Sequence, residues 1–239
     1  MNISYNYKQL NKEMMHKYPN ILFIYEDNKE YTGEFAYDFN RDIPNGYGIS
    51  VNDNSISEKD SDLILSSLRY LYSMADKANT EIVFPYESLG LKSLMPLRAP
   101  NLFYKMNQII DTHFFKLNPS KKRISFMVPD VENLEEVMEA VLEEYMEAGN
   151  EKASKILFPL YQNNSLNTYM KSIKEDLEFP IYPHKYTHSD MTNYYLDLAL
   201  KSDECIFISS MMNEELTNIK AQLEDPMFNN SVNVITVEV

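Results

Sequence analysis

EIVFPYESLGLKSLMPLRAPNLF, residues 81–103, predicts a buried strand, a loop and a helix in succession. The strand is the apolar run 82–84, the loop contains Gly90, and Ala-Pro-Asn at 99–101 marks the start of the helix. A loop between a strand and a helix is a common scaffold for holding phosphate on backbone N–H groups. This loop carries Glu87 and a single glycine, where phosphate-binding loops usually have several. The functional interpretation therefore depends on whether this loop holds an anion.

The chain is acidic and poor in glycine. Its 239 residues carry a formal net charge of −14 and include five glycines. Such a surface repels the phosphates of nucleic acids and anionic membranes, so we expect neither as a partner. So few glycines leave little room for a motif built on repeated glycine. With 44% hydrophobic residues, the chain can bury the core of one large or two small domains.

A single cysteine, Cys205, limits the chemistry further. It excludes a disulfide within the chain and a cysteine-rich zinc site, and it suits a reducing cytoplasm. Its strand-like surroundings, CIFISS, favour a buried packing role over a nucleophilic one. The first 15 residues lack the apolar core of a signal peptide, and no apolar run approaches the ~20 residues that span a bilayer. We therefore expect a soluble, cytoplasmic protein.

The first half of the chain mixes short strands with helices. The patterns predict a helix at 7–18, a strand at 21–25, a turn at 44–48, a strand at 49–51, and a helix that ends near residue 115. The sequence at 57–60 is typical of a helix N-terminus. Apolar residues then recur at helical spacing and predict a core-facing stripe made of Leu63, Ile64, Leu68, Leu71 and Met74.

The polar, proline-containing segment 117–122 is the expected domain boundary, with domains at 1–118 and 122–239. Beyond it, strands and helices alternate strictly. The strands are predicted at 124–128, 156–161, 179–182, 205–209 and 232–239, and the helices at 130–149, 165–177, 189–201 and 213–223. Five strands alternating with four helices predict an α/β domain with a mainly parallel five-stranded sheet covered on both faces.

Three segments of the first domain, in this order, resemble a phage and bacterial family of small macro-like domains. ILFIYEDN at 21–28 is similar to that family's opening strand, which ends in F-G-D-N. RDIPNGYGI at 41–49 is similar to its R-x-x-P-N-A-x-G-I segment, and 82–103 to its strand, glycine-rich loop and Ala-Pro helix start. The resemblance covers roughly the first 115 residues. It implies a three-layer macro-like domain that binds ADP-ribose or a related nucleotide.

The resemblance also implies which residues would line the ligand cleft. The adenine or distal ribose would lie beside Asp27 and Asn28, and the other positions carried over are Asn45, Gly46 and Tyr47 for the cleft wall and Ser88, Gly90, Lys92 and Ser93 for the phosphate loop. The chain departs from the family at Glu26, which replaces the glycine before Asp-Asn, and at Glu87 and Lys92, where small residues are expected. Side chains there would hinder close approach of phosphate to the backbone. A degenerate cleft is therefore the alternative.

In YYLDLALKSDECIFIS, residues 194–209, a predicted helix ends in a solvated Ser-Asp before a buried strand. In this phrase and in its topology the second domain resembles generic Rossmann-like modules, in particular SLOG, TIR-type and nucleoside deoxyribosyltransferase domains. It lacks the G-x-G-x-x-G fingerprint. Since ligands of such sheets bind at the carboxyl ends of the strands, the polar residues expected there are candidates for a second crevice: Asp130, Asn163, Asn164, Ser165, His184, His188, Asp190 and Ser209. The two histidines with Asp190 could bind a metal, but a loop followed by a helix cap explains the same sequence, and we predict no metal.

Three functions remain open. The first is binding of an ADP-ribose-like or other nucleotide-derived ligand without turnover and without a further cofactor. The second is an interaction or oligomerisation protein that retains degenerate nucleotide-binding folds, and a homo-oligomer or a protein partner would suit it. The third is hydrolysis of ADP-ribosyl or N-glycosidic bonds. No clear catalytic pair is found in the sequence, which disfavours the third.

Overall fold

The computed structural model describes residues 2–6, 11–27, 43–51, 55–78, 80–85, 89–91, 93–129, 136, 139–141, 153–160, 181–185, 191–228 and 232–238. The chain divides into two compact units, Met1–Lys116 and Leu117–Val239. We refer to them as the N-terminal and C-terminal units and describe each by itself. Among the described helices, none combines the length and the apolar character that a membrane crossing requires.

The N-terminal unit contains four strands and four helices among its described residues. In chain order they are β1 (Ile3–Asn6), α1 (Lys12–Lys17), β2 (Ile21–Asp27), β3 (Gly46–Ser50), α2 (Ser61–Ala78), β4 (Glu81–Pro85), α3 (Met95–Arg98) and α4 (Pro100–Ile109). A 3-10 turn, Glu58–Asp60, leads into α2, and a π-helical turn, Ile110–Phe114, extends α4.

The strands of this unit form one parallel sheet in the order β1-β4-β2-β3. Phe23 of β2 pairs with Gly46 of β3 on one side and with Val83 of β4 on the other. Because every pair is parallel, all four strands end at the same edge of the sheet. We call this the carboxyl edge, and the opposite edge the amino edge.

Helices cover both faces of the sheet. On one face, Met15 of α1 packs in a buried cluster with Phe23, Ile43 and Val83. On the other face lie α2 and α4: the Tyr47 hydroxyl is 3.2 Å from Oγ of Ser67 in α2, and the ring of Phe84 contacts Phe114 beyond α4. Consecutive residues of a strand point to opposite faces of the sheet. Val83 therefore packs in the layer of α1 and Phe84, the next residue of β4, in the layer of α2 and α4.

Helix α2 buries one side and exposes the other. Its buried residues are Ile64, Leu65, Leu68, Leu71 and Ala75, which repeat at three- and four-residue intervals as in an amphipathic helix. Leu63, which the sequence pattern placed in the core stripe, is 57% exposed instead. Its apolar side chain lies one residue outside the buried stripe, on the side that the sheet does not cover.

The C-terminal unit contains five strands and two complete helices among its described residues. They are β5 (Lys122–Met127), β6 (Ala153–Leu160), β7 (Ile181–Lys185), α5 (Met191–Leu200), β8 (Glu204–Ile208), α6 (Glu214–Leu223) and β9 (Asn233–Val237). Residues 136 and 139–141 are also helical. The sheet has the order β7-β6-β5-β8-β9, and all of its pairs are parallel. The prediction of a mixed α/β chain with mainly parallel sheets is confirmed.

Three local predictions differ from the structure. The chain begins with strand β1, which was not predicted because four residues are too few to show a period. Strand β3 starts at Gly46 rather than at residue 49, because the glycines of 44–48 belong to the strand and not to the turn. Strand β7 spans Ile181–Lys185 rather than 179–182, so His184 lies within a strand. The predicted helix at 165–177 falls outside the described residues.

Candidate functional site

At the carboxyl edge of the N-terminal sheet, the loop after β4 is bound by a carboxylate of the chain itself. Oε1 of Glu26 accepts a hydrogen bond of 2.6 Å from the backbone N–H of Gly90. Glu26 is 8% exposed. The N–H that a phosphate would need at this glycine is therefore already satisfied by an internal anion.

Gly90 itself has the conformation that such a loop requires. Its φ is +89°, a region that residues with a Cβ rarely adopt. A Cβ placed on Gly90 would also overlap the side chain of Met95, the first residue of α3. The N–H of Met95 donates to the Gly90 carbonyl at 3.0 Å. The glycine thus permits a tight turn that leads directly into α3.

Ser93, predicted as a phosphate-loop residue, is buried and used internally. Its Oγ lies 2.6 Å from the carbonyl oxygen of Val51 and 3.0 Å from that of Gly90, and the residue is 1% exposed. Both neighbours are acceptors, so the hydroxyl donates its proton within the fold. Ser93 ties the loop after β4 to the end of β3, and its buried hydroxyl is used within the fold.

The start of α4 shows the same arrangement as the loop. The backbone N–H of Asn101, in the first turn of α4, donates to Oε1 of Glu58 at 2.8 Å. Free N–H groups in the first turn of a helix attract anions, and here one of them is occupied by a glutamate. Two backbone donors typical of an anion site, at Gly90 and Asn101, are thus both bound by carboxylates of this chain.

Asp27 reaches the carboxyl edge on the other face of the sheet. It follows Glu26 in β2, and consecutive strand residues point to opposite faces. A Cβ added to Gly48 would lie 2.8 Å from Cβ of Asp27, so the aspartate packs closely over the glycine of β3. The structure therefore separates the side chain of Asp27 from the loop that contains Gly90.

Asn45 lies at the amino edge and not in the predicted cleft. Its Nδ2 is 3.0, 2.9 and 2.9 Å from the carbonyl oxygens of Met15, Tyr18 and Ile21. The five residues of β3 separate it from the carboxyl edge by roughly 17 Å at ~3.3 Å per residue. This corrects the expectation that Asn45 and Gly90 line one cleft. Asn45 instead joins the end of α1 to the start of β2.

The two residues predicted beside Asn45 are structural as well. Gly46 opens β3 at the amino edge, with its N–H 3.0 Å from the Ile43 carbonyl. The side chain of Tyr47 extends to α2, where its hydroxyl meets Ser67. Neither is brought together with Asp27 or Gly90. The remaining residues assigned to this cleft, Asn28, Ser88 and Lys92, and Glu87 as well, lie outside the described residues.

A groove of about 690 Å³ opens at the amino edge. Its lining residues are Asn2, Pro19, Asn20, Ile21, Leu22, Pro44, Asn45, Ala78, Thr80 and Glu81. The amide of Asn45 is already used by three carbonyl groups. Parallel α/β sheets bind their ligands at the opposite, carboxyl ends of the strands. The position of this groove therefore does not favour it as the ligand site.

The C-terminal sheet has a reversal of strand order between β5 and β8. Chain order proceeds outward from β5 through β6 to β7, then returns through α5 to β8 on the other side of β5. Such a reversal leaves a crevice at the carboxyl ends of the two strands. Val128 and Pro129 follow β5 there, and the exposed Ser209 and Ser210 follow β8. Of the predicted crevice residues, Ser209 is the one that the structure places at the carboxyl end of β8, beside this reversal.

His184 is not part of the same crevice. It lies in the edge strand β7, paired with Pro159 of β6. Strands β6 and β5 separate β7 from β8, a distance of roughly 14 Å at ~4.8 Å per strand. The other predicted crevice residues fall outside the described residues: Asp130, Asn163, Asn164, Ser165, His188 and Asp190. Among the residues that the structure describes, no three His, Cys, Asp or Glu side chains group as metal ligands would.

Tyr195 of α5 fixes the end of β5. Its hydroxyl donates to the Val128 carbonyl at 3.2 Å, and its ring is almost fully buried. All seven residues from Tyr194 to Leu200 are buried. The sequence contains a signal for this role, since YYLDLALK has almost no polar face, but the residue was not predicted as part of the site. Its hydrogen bond fixes the backbone at the carboxyl end of β5.

Cys205 is buried in β8, as predicted. Burial raises the pKa of its thiol from 9.0 to about 12, and a hydrogen bond with Ser125 opposes part of that rise. The thiol is therefore protonated at neutral pH and is not a nucleophile. Ser125 also lies 2.7 Å from Oγ of Ser202, so Cys205 belongs to a small buried polar cluster.

Comparison with known proteins gives no further assignment: no protein-family model, curated protein or solved structure matches this chain.

Proposed function

We propose that this protein binds a nucleotide-derived ligand of the ADP-ribose type without turnover, at the carboxyl edge of the C-terminal sheet between β5 and β8. The observation that supports this site is the strand order β7-β6-β5-β8-β9. It is the order in which doubly wound folds bind nucleotides at the reversal point. The Rossmann-like resemblance of this half of the chain agrees with it.

The groups at the crevice suit a hydroxyl-rich ligand. Ser209 and Ser210 are exposed after β8 and offer hydroxyl donors and acceptors for a ribose. The turn that contains them is closed by a hydrogen bond of 3.3 Å from the N–H of Met212 to the Ser209 carbonyl. Tyr195 holds the opposite rim through Val128. A rim held on both sides loses little conformational freedom on binding.

The described part of this edge contains no catalytic pair. The thiol of Cys205 is protonated and buried, and its strand position places His184 two strands away from β5. We therefore propose binding rather than hydrolysis. The macro-like N-terminal unit is proposed to have lost diphosphate binding in its loop, because Glu26 occupies the Gly90 N–H. This last contact favours a second candidate function, a protein interaction mediated by the N-terminal unit.

Calorimetry and thermal unfolding of the full chain with ADP-ribose, NAD and cyclic ADP-ribose isomers test the proposal. A ligand at 100 times its Kd stabilises the folded state by about 2.7 kcal/mol. We expect Ser209→Glu to weaken binding of a phosphate-containing ligand, because it adds a like charge at the crevice. Asn218→Glu is the matched control, since it adds the same charge on the exposed face of α6.

The outcomes separate the candidates. Binding that Ser209→Glu weakens and Asn218→Glu leaves intact, with unchanged ligand recovered by chromatography, supports the proposal. Conversion of the ligand would replace binding with catalysis. Absence of any stabilisation at millimolar ligand would exclude the binding function and leave the interaction candidate. If neither Ser209→Glu nor Asn218→Glu weakens binding, the ligand site does not lie at the end of β8.

A further inference from the structure

The outward side of α2 carries two large apolar side chains that the fold does not cover. Leu63 is 57% exposed and Tyr70 is 60% exposed. They are seven residues apart, so they lie on the same side of the helix, roughly 10 Å apart along its axis. The other large apolar side chains exposed in the described residues, Tyr18, Leu94 and Met227, lie outside α2. Leu63 and Tyr70 therefore form a surface of their own.

The charges beside this surface are balanced. Asp62 and Arg69 have the same seven-residue spacing as Leu63 and Tyr70 and lie next to them on the exposed side. With Asp76 and Lys77, α2 has two acidic and two basic residues, while the whole chain has a net charge of −14. A neutral face is where two copies of so acidic a chain repel each other least.

The apolar and charged residues on the exposed side of α2 are arranged so that this side is complementary to itself. If a second copy of α2 lies antiparallel, with a two-fold axis midway between Ser66 and Ser67, Leu63 of each copy lies opposite Tyr70 of the other. The same operation brings Asp62 of each copy within two helical positions of Arg69 of the other, an axial offset of about 3 Å. A two-fold axis requires one patch to match itself in this way. The apolar pair meets the apolar pair, and each acid meets a base.

The centre of the surface can approach a neighbour closely. Ser66 lies between Leu63 and Tyr70 on the exposed side, and its hydroxyl already donates to the Leu63 carbonyl at 3.0 Å. Covering this hydroxyl therefore leaves no donor unsatisfied. Ser73 continues the exposed stripe with a second small side chain. Small residues at a helix crossing allow the two helices to pack with their larger neighbours interlocked.

We propose that α2 is the interface of a homodimer, formed by antiparallel packing of its Leu63–Tyr70 face against the same face of a second copy. This proposal does not depend on the ligand site proposed in the C-terminal unit, because each proposal is tested by a separate experiment. The face of α2 that packs on the sheet is unchanged by dimerisation, since it consists of the opposite, buried residues.

Sedimentation equilibrium of the full chain in about 0.15 M salt tests the dimer. We expect Leu63→Ser and Tyr70→Ser each to weaken dimerisation by about tenfold or more, as for central residues of an interface. Asp62→Arg weakens it by placing two like charges together. The double variant Asp62→Arg/Arg69→Asp restores it, because the exchange regenerates both ion pairs. Met227→Ser and Glu139→Arg are matched controls on exposed residues outside α2, and neither changes the dimer.

Circular dichroism checks that each variant is folded, which its exposed position predicts. If the protein stays monomeric at concentrations up to about 100 μM, its self-association is far weaker than ordinary specific association. That result would overturn the proposal. A dimer that the Leu63 and Tyr70 variants leave intact would also overturn it and place the interface elsewhere. Failure of the charge exchange to restore a dimer weakened by Asp62→Arg would reject the antiparallel arrangement.

Discussion

Glu26 and Gly90 are 64 positions apart in the sequence and are joined by a hydrogen bond of 2.6 Å from the glycine N–H to the glutamate carboxylate. Glu26 lies in β2, and Gly90 is the single glycine of the loop after β4. A buried side chain of one strand thus satisfies a backbone donor of a distant segment, and this N–H needs no external acceptor.

Replacing Glu26 with alanine should destabilise the N-terminal unit. The buried N–H of Gly90 would lose its acceptor, at a cost of about 1–3 kcal/mol. Urea denaturation should show a lower midpoint with an unchanged slope. Glu26→Gln, whose amide oxygen still accepts, should lose less. Equal midpoints for wild type and Glu26→Ala would show that the loop does not depend on this contact.

Asn45→Ala should also lower stability, although the residue was expected to contact a ligand. Its amide holds the carbonyl groups of Met15, Tyr18 and Ile21, and losing two donor protons costs about 2 kcal/mol at ~1 kcal/mol each. Asn20→Ala is the control, because Asn20 is exposed in the same groove and should change stability by less than about 0.5 kcal/mol. Similar losses in both variants would argue against the bridging role of Asn45.

The two halves of the chain differ in how far the sequence predicts them. In the C-terminal half, apolar runs such as 205–208 are strands because both faces of a parallel sheet are covered, and their alternation with helices defines the α/β class. In the N-terminal half, Gly46 and Gly48 lie within β3. Turn propensity alone could not reveal this, because Gly48 is needed for the close packing of Asp27.

The site was less predictable than the fold because it depends on contacts between distant segments. Glu26 does leave a signal: alternation along β2 puts it on the same face as Ile24, and a buried carboxylate requires a donor. Nothing in the sequence says that the donor is Gly90. For Asn45 the prediction failed in the other direction. The resemblance predicted Asn45 in a cleft, whereas the direction of β3 places it at the amino edge of the sheet.

Arg123 should be among the most sensitive residues of the C-terminal unit. It is 3% exposed, and its Nη2 lies 2.7 Å from Oδ1 of Asp203, the residue before β8. Arg123→Ala leaves that carboxylate without its cation, which costs about 3–5 kcal/mol for a buried pair. Thermal and urea unfolding measure the loss.

Lys122→Ala is the control for Arg123. Lys122 is the preceding residue, and its pair with Glu204 is longer, at 3.7 Å, with the lysine side chain 53% exposed. Exposed pairs contribute at most about 1 kcal/mol, so this variant should remain close to wild type. A loss as large as that of Arg123→Ala would attribute the effect to the start of β5 in general and not to the buried ion pair.

Cys205 should report unfolding of the C-terminal unit by its reactivity. Because burial raises the pKa of the thiol to about 12, the folded protein presents no thiolate at about pH 8, and a thiol reagent should label it only across the urea transition.

The raised pKa of Cys205 also makes the free energy of unfolding fall in alkaline solution. The unfolded chain releases the thiol proton near 9.0, whereas the fold retains it until about 12. The contribution of the protonated thiol is therefore complete below pH 9 and is lost as the pH rises toward 12. Cys205→Ala lacks this group, so the stability difference between wild type and variant should shrink over that range. Rapid labelling of the native protein in the absence of urea would contradict the buried, protonated thiol.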